Sequence, residues 1–349
     1  MKIEDIDNNF KVKTAECPQD IRWYNIKSEP FRVHGVFKDA KGWCRMPLDI
    51  AATVSEGVAS LAAITAGGRV RFCTDSPYIM LKTVMSDKST MPHITMVGQS
   101  GFDMYSERGY IATFIPFARD HGYEVIQWLD GKKHTYTINM PLYDSVEEIY
   151  IGLKQDTLIT EPSPYADFKS VLYYGSSITQ GGCASRPGNA YEAMISRKLN
   201  VDYVNLGFSG NARAEDTMIE YLCAQDPSVF VCDYDHNAPS SEHLEKSLGK
   251  LFATFRETHP DTPVVFVSRP NFSPDRKEDV TRRGIVMNTY LTALRGGDKK
   301  VWFVDGARMF DGEFADSCTV DGCHPNDLGF YRMAMKIGCA VAEALKLKW

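Results

Sequence analysis

The sequence predicts a two-domain chain, an α/β domain with a five-stranded parallel sheet covered by helices on both faces, preceded by an all-β sandwich domain. Two observations carry this expectation. The first is size: 349 residues suit two domains better than one, at roughly 150 residues each. The second is a change of periodicity near Gln155. Before it, short runs rich in β-branched and aromatic residues alternate with turn signals. After it, apolar strands alternate with amphipathic helical stretches.

In the first half, from about Ile21 to Leu153, the runs are Arg69-Val70-Arg71-Phe72, Tyr78-Ile79-Met80-Leu81, Tyr110 to Phe114 and Tyr123 to Trp128. Gly67-Gly68, Asp75-Ser76-Pro77 and Asp130-Gly131 separate them as turns. Closely spaced strands without a long helical pattern read as an antiparallel sandwich spanning residues 1–155. A polar, proline-bearing stretch from Thr157 to Pro164 has linker composition, so residues 156–169 are expected to join the domains.

Residues 170–349 alternate regularly. Strands Val171–Tyr174, Tyr203–Leu206, Val229–Cys232, Val264–Val267 and Val301–Val304 precede helices near Tyr191–Leu199, Glu215–Cys223, Glu242–Glu257, Glu278–Leu294 and from about Asn326. Strands this uniformly apolar are buried on both faces, as in a parallel sheet.

Composition narrows the function. Hydrophobic residues at 44% and charged residues at 24% suit a chain with a full core in each domain. A net charge of −6 without a Lys/Arg-rich run gives no footprint for nucleic acid, which is not expected as a partner. Membrane insertion is not expected either, because the most apolar window, Val58 to Ala66, falls far short of the ~18 to 20 residues that span a bilayer. Met1 to Phe10 carries Glu4, Asp5 and Asp7 where a secretory leader would be basic and then apolar, so the expectation from this chain is a cytoplasmic location. The nine cysteines lie singly, with no Cys-x-x-Cys pair and an odd total, which argues against a disulfide framework. Cys318, Cys323 and His324 offer three donors where structural zinc needs four, so no metal is expected.

Ligands of open parallel sheets bind beyond the carboxyl ends of the strands. Those positions are unusually polar here: Gly175-Ser176-Ser177-Ile178-Thr179, Gly207-Phe208-Ser209-Gly210-Asn211, Asp233-Tyr234-Asp235-His236-Asn237 and Asp321-Gly322-Cys323-His324-Pro325. Together they offer a hydroxyl, amide donors, an imidazole and a carboxylate, the parts of an acyl-transfer site.

This set resembles the four blocks of the SGNH (GDSL-like) hydrolases, in the family's order, over roughly residues 170–345. Two departures stand out: Ser176 replaces the usual Asp before the nucleophile, and Tyr234 to Ala238 replaces the usual Gly-x-Asn-Asp. Gly101-Phe102-Asp103-Met104-Tyr105 resembles the Gly-x-Asp-Leu-Tyr signature of a β-rich domain preceding some bacterial SGNH domains. The resemblance implies a flavodoxin-like sheet behind a jelly-roll-like sandwich, arranged as in two-domain carbohydrate esterases. It implies Ser177 as nucleophile, His324 as base, Asp321 as its orienting carboxylate, and an oxyanion hole from the N–H groups of Ser177 and Gly210 with the Asn237 amide. Such a mechanism needs no cofactor.

The expected substrate is a small-molecule or oligosaccharide acyl ester, acetyl first. A thioesterase or short-chain non-sugar esterase would use the same residues, and a carbohydrate-binding protein with an inert second half is the non-enzymatic alternative. Ser209 is the rival nucleophile, in a setting that suits a tight turn. His236, Arg269, Asp103 and Tyr105 are candidate substrate contacts. The readings favoured over these are an ordinary ion pair for Arg269, and a turn and a core aromatic for Asp103 and Tyr105. His324 has the bland reading of a helix cap, and Trp128 and Trp302 read as core aromatics.

Overall fold

A computed structural model describes residues 17–86, 91–116 and 121–349. Met1 to Phe10, read above for a leader, lies outside the described residues.

Two antiparallel sheets form the first half. One runs in the order Ile21–Asn25, Val146–Lys154, Tyr78–Met85, Gly122–Trp128. The other runs Ile159–Thr160, Arg69–Thr74, His134–Asn139, Phe102–Ser106, Gly109–Phe114, with Arg32–His34 also paired to Arg69–Thr74. Alternation along the strands decides what faces inward. Val70, Phe72, Met104, Tyr136 and Ile138 fill the space between the sheets with Ile79, Leu81, Ile149 and Ile151. Their strand neighbours Arg69, Arg71, Asp103, Tyr105 and Asn139 lie on the opposite face, where a sandwich normally meets water. Here they too are buried.

The parallel sheet of the second half has the order Tyr203–Gly207, Val171–Gly175, Val229–Asp233, Val264–Val267, Val301–Val304, the flavodoxin-like 2-1-3-4-5 arrangement. Strand parity again sorts the side chains. Tyr173, Val231 and Val265 pack under helices Tyr191–Leu199 and Asp327–Ala344. Leu172, Tyr174, Phe230 and Phe266 pack under Asp216–Cys223, Ser241–Thr258 and Lys277–Arg295. Strand order reverses between Val171–Gly175 and Val229–Asp233, so a crevice opens at their carboxyl ends.

Three features depart from the sequence expectations. The first half holds two seven-residue helices, Leu48–Val54 and Glu56–Ala62, the second capped by the Ser55 hydroxyl accepting from Val58 N–H at 3.1 Å. At two turns each they are too short for a periodic pattern, and they are stabilised by burying Ala51, Val58 and Ala62 in the second half's core beside Met218 and Leu222. The stretch expected as linker starts with a strand, Ile159–Thr160, on the edge of the second sheet. Trp128, expected in the core, is 61% exposed: it ends an edge strand and packs edge-on against Tyr78.

Arg45 joins the halves from inside. Its Nε donates to Ile64 O at 2.9 Å, one terminal nitrogen to Leu61 O at 2.7 Å, and the other to Gly207 O at 2.7 Å and Asn205 O at 3.2 Å. Burial pulls its pKa down to about 10, which still leaves it charged at neutral pH. Two buried carbonyls, of Asn205 and Gly207, and two part-buried ones, of Leu61 and Ile64, thus accept from one side chain. Since leaving a buried polar group unpaired costs about 1–3 kcal/mol, Arg45→Met is expected to lower stability by at least ~2 kcal/mol. Urea unfolding measures this, and an unchanged midpoint would show that the bonds contribute nothing net.

Candidate active site

The strand Val171–Gly175 delivers Ser177 to the crevice. Ser176 caps the four-residue helix Ser177–Gln180, its hydroxyl accepting from Ile178 N–H at 3.1 Å. Asp and Ser are equally good caps, so Ser176 satisfies this turn as the family's usual Asp would. The strand-to-helix turn is tight: a Cβ on Gly175 would lie 2.0 Å from Thr179 Oγ1 and 2.4 Å from Asp233 O. Ser177 is therefore held at the first turn of a helix, where backbone N–H groups have no intrahelical partner.

His324 arrives on a closed loop. Thr319 and Pro325 form a bridge, Val320 N–H donates to His324 O at 2.9 Å, and Gly322 adopts φ +82° to complete the turn. Asp321 sits inside it. Its Oδ1 accepts from Cys323 N–H at 3.0 Å and His324 N–H at 2.8 Å, while its Oδ2 lies 2.7 Å from His324 Nδ1. The other ring nitrogen, Nε2, lies 3.0 Å from Ser177 Oγ. Burial alone would raise the Asp321 pKa, but these hydrogen bonds outweigh it and bring the carboxyl down to about 2. Capping of the last helix is left to Asn326, which accepts from Leu328 and Gly329 N–H.

Two further loops face the same crevice. Gly210 takes φ +70° in the turn after Tyr203–Gly207. Asn237 ends the short 3-10 turn Asp235–Asn237, and its Oδ1 accepts from Ala212 N–H at 3.4 Å, which ties the loops together and leaves its Nδ2 free to donate. Gln180, fully buried, fixes this arrangement from below. Its Oε1 accepts from Ser209 N–H at 3.0 Å, and its Nε2 donates to Leu142 O of the first half at 3.1 Å. Among the described residues, no histidine hydrogen-bonds the Ser209 side chain.

Asp233 lies behind the Ser177 turn, accepting from Thr179 Oγ1 at 3.1 Å and the Tyr191 hydroxyl at 3.0 Å. Burial raises its pKa from 3.8 to about 7. A carboxyl that holds its proton more tightly folded than unfolded favours the fold at low pH, and this contribution is lost as pH rises through the folded pKa. Asp233→Asn is therefore expected to gain stability relative to wild type from about pH 4 to about pH 7, with a constant difference above that. Urea midpoints across that window test it, and parallel curves for the two proteins would contradict it.

The candidate substrate contacts separate. His236 lies beside the centre, its Nδ1 4.0 Å from Cys323 Sγ and its buried Nε2 without a partner. Burial first, and then repulsion from Arg269 and Arg282, lowers its pKa to about 3, so the ring is neutral. Arg269 is paired with Asp279, and its N–H donates to Asp235 at 3.0 Å. Asp103 is fully buried, accepting from Asn139 Nδ2, Arg186 and Gly188 N–H at 2.8 Å each. The Tyr105 hydroxyl also accepts from Arg186. These two motif residues thus fasten the sandwich to the turn Pro187–Asn189 of the second half.

The cysteines are free. Cys318 Sγ donates to Phe314 O and Cys323 Sγ faces His236, so the two do not share a site with His324. Among the described residues, one grouping has metal-capable donors within 4.8 Å of one another: His93, Cys183 and His324. Three donors fall short of a closed structural zinc site, and His324 is already held between Ser177 and Asp321. His93 is the residue that sequence reasoning missed at the centre: its ring, from the first half, lies 5.5 Å from that of His324. Nothing in the spacing signals it.

Fold and family together define the class of protein, an ester hydrolase. The model of the GDSL-like lipase/acylhydrolase family matches residues 168–341, and that of the N-terminal domain of SGNH-type esterases matches residues 21–159. The chain belongs to this family and is an ester hydrolase. Comparison with curated proteins gave no match. Among solved structures, a candidate GDSL-like lipase from Bacteroides ovatus is 28% identical, with 94% of this chain and 99% of that one covered at a TM-score of 0.84. A family two carbohydrate esterase from Clostridium thermocellum, solved with cellohexaose, shares the fold at 15% identity, 90% and 99% coverage and a TM-score of 0.64. So does an acetyl xylan esterase from Butyrivibrio proteoclasticus, at 15% identity, 93% and 99% coverage and a TM-score of 0.59.

Proposed function

We propose that the protein is a serine esterase that removes small acyl groups, acetyl above all, from carbohydrate hydroxyls. The observation that carries the esterase chemistry is the continuous hydrogen-bonded line from Ser177 Oγ through His324 to Asp321. In this reading Ser177 Oγ attacks the ester carbonyl while His324 Nε2 takes its proton. Asp321 holds Nδ1 and stabilises the imidazolium. The oxyanion is met by the N–H groups of Ser177 and Gly210 and by Asn237 Nδ2. Collapse breaks the bond to the sugar oxygen, which leaves with the proton from His324. Water then gives its proton to the same nitrogen, attacks the acyl-serine, and releases acetate and free Ser177.

The carbohydrate part draws support from neighbours of the same two-domain build that are named as carbohydrate esterases. Acetate release from a panel of acetylated mono- and oligosaccharides, set against an acetyl thioester, tests it. A kcat/KM highest for a sugar ester is the expected result. Preference for the thioester would transfer the same residues to thioesterase chemistry.

A further inference from the structure

A second cavity, of about 870 Å³, lies between the outer face of the sandwich sheet and the helix Tyr191–Leu199. Its lining contains none of Ser177, His324 or Asp321. The volume is that of an ordinary small-molecule site. Its charge is unusual for a chain of net charge −6: the lining carries Arg69, Arg71, Lys133, Arg197 and Lys198 against a single carboxylate, Glu107. Even that carboxylate is spoken for, since Glu107 pairs with His134 and accepts from Thr135 N–H at 3.1 Å.

Arg71 is the decisive residue. It is 6% exposed, its guanidinium lies 3.9 Å over the Tyr165 ring, and its Nε donates to Thr137 Oγ1 at 3.3 Å. No carboxylate pairs with it among the described residues, and its terminal nitrogens have no partner there. By contrast, Arg69 alongside is paired with Asp202. Arg197 spends one nitrogen on Gly188 O at 2.6 Å and lies 4.1 Å over the Tyr105 ring. A guanidinium buried without an anion is costly, and stacking on an aromatic face leaves its in-plane N–H fork free for a bidentate partner. Burial, reinforced by Arg69 and opposed by Tyr165 and the more distant Asp202, lowers the Arg71 pKa.

From this geometry we infer that the interdomain cavity is a binding site for a sugar-sized anion, whose carboxylate or phosphate group takes the free edge of Arg71 and whose hydroxyls meet Thr135, Thr137 and Asn139. Such a ligand touches both halves of the chain and binds independently of the esterase reading.

Calorimetry on Ser177→Ala protein, which keeps the cavity and removes the proposed nucleophile, tests the inference with galacturonate, inorganic phosphate and neutral galactose as probes. One anion is expected to bind at least about tenfold more tightly than galactose, because a charge-assisted fork is involved, and to weaken between about 50 and 300 mM salt. Preference for galacturonate identifies a sugar acid, and preference for phosphate a phosphorylated ligand. Adding Arg71→Gln is expected to cost at least about tenfold in affinity. Lys133→Ala, a change at the exposed rim that does not disturb packing, is expected to cost about threefold, and it decides the matter if Arg71→Gln does not fold. No binding of either anion, equal binding of galactose, or affinity untouched by the folded variants would overturn the inference.

Discussion

Ser177→Ala is expected to reduce acetate release by about 10⁴-fold or more, with the fold unchanged. The hydroxyl lies 3.0 Å from His324 Nε2, within hydrogen-bond reach of a base. Removing it leaves only what the amide donors can do for attack by water. The substitution deletes one oxygen from a small side chain whose turn is held by Ser176, Gly175 and Gln180. Stability should therefore be nearly that of wild type. Acetate release at equal rates by the two proteins would remove Ser177 from the chemistry.

His324→Ala is expected to produce a loss of the same order, because nucleophile and base act as a unit. In the proposed mechanism, losing the imidazole removes the group that takes the Ser177 proton and returns one to the leaving oxygen. The double variant Ser177→Ala/His324→Ala should then be no slower than either single one. The loop survives the change, since Asn326 caps the last helix and Thr319 bridges to Pro325 without the ring. Near-normal turnover of His324→Ala would refute the assignment of the base, and a further large drop in the double variant would show that the two act separately.

Much of the fold was readable because parallel strands buried on both faces leave plain apolar runs, and all five strands of that sheet begin where the runs begin. The site was readable only as parts. Nothing in the spacing of Ser177 and His324, 147 residues apart, says that they meet; that expectation came from the resemblance of four short blocks. Residues acting through distant partners left no trace at all. Arg45 looks like any surface arginine until Gly207 O is placed beside it, and Gln180 like any polar residue of a turn. His93 sits in a stretch without periodicity and reaches His324 only because the first half folds against the second. The polar alternation of Arg69 and Arg71 reads as a solvated sheet face, yet the second half covers it. Likewise the Gly-x-Asp-x-Tyr motif was visible as a pattern, while its partners Arg186 and Gly188 were not.

In the proposed mechanism one serine hydroxyl, activated by one imidazole, forms the covalent acyl intermediate. A diethyl phosphoryl ester presented to the protein, followed by peptide mass mapping, interrogates it directly, because such reagents trap an activated serine in place of the acyl group. A single adduct on Ser177 is expected, absent from Ser177→Ala and formed far more slowly in His324→Ala. An adduct on Ser209 would move the nucleophile there, and labelling of Ser177 at the same rate without His324 would remove the imidazole from its activation.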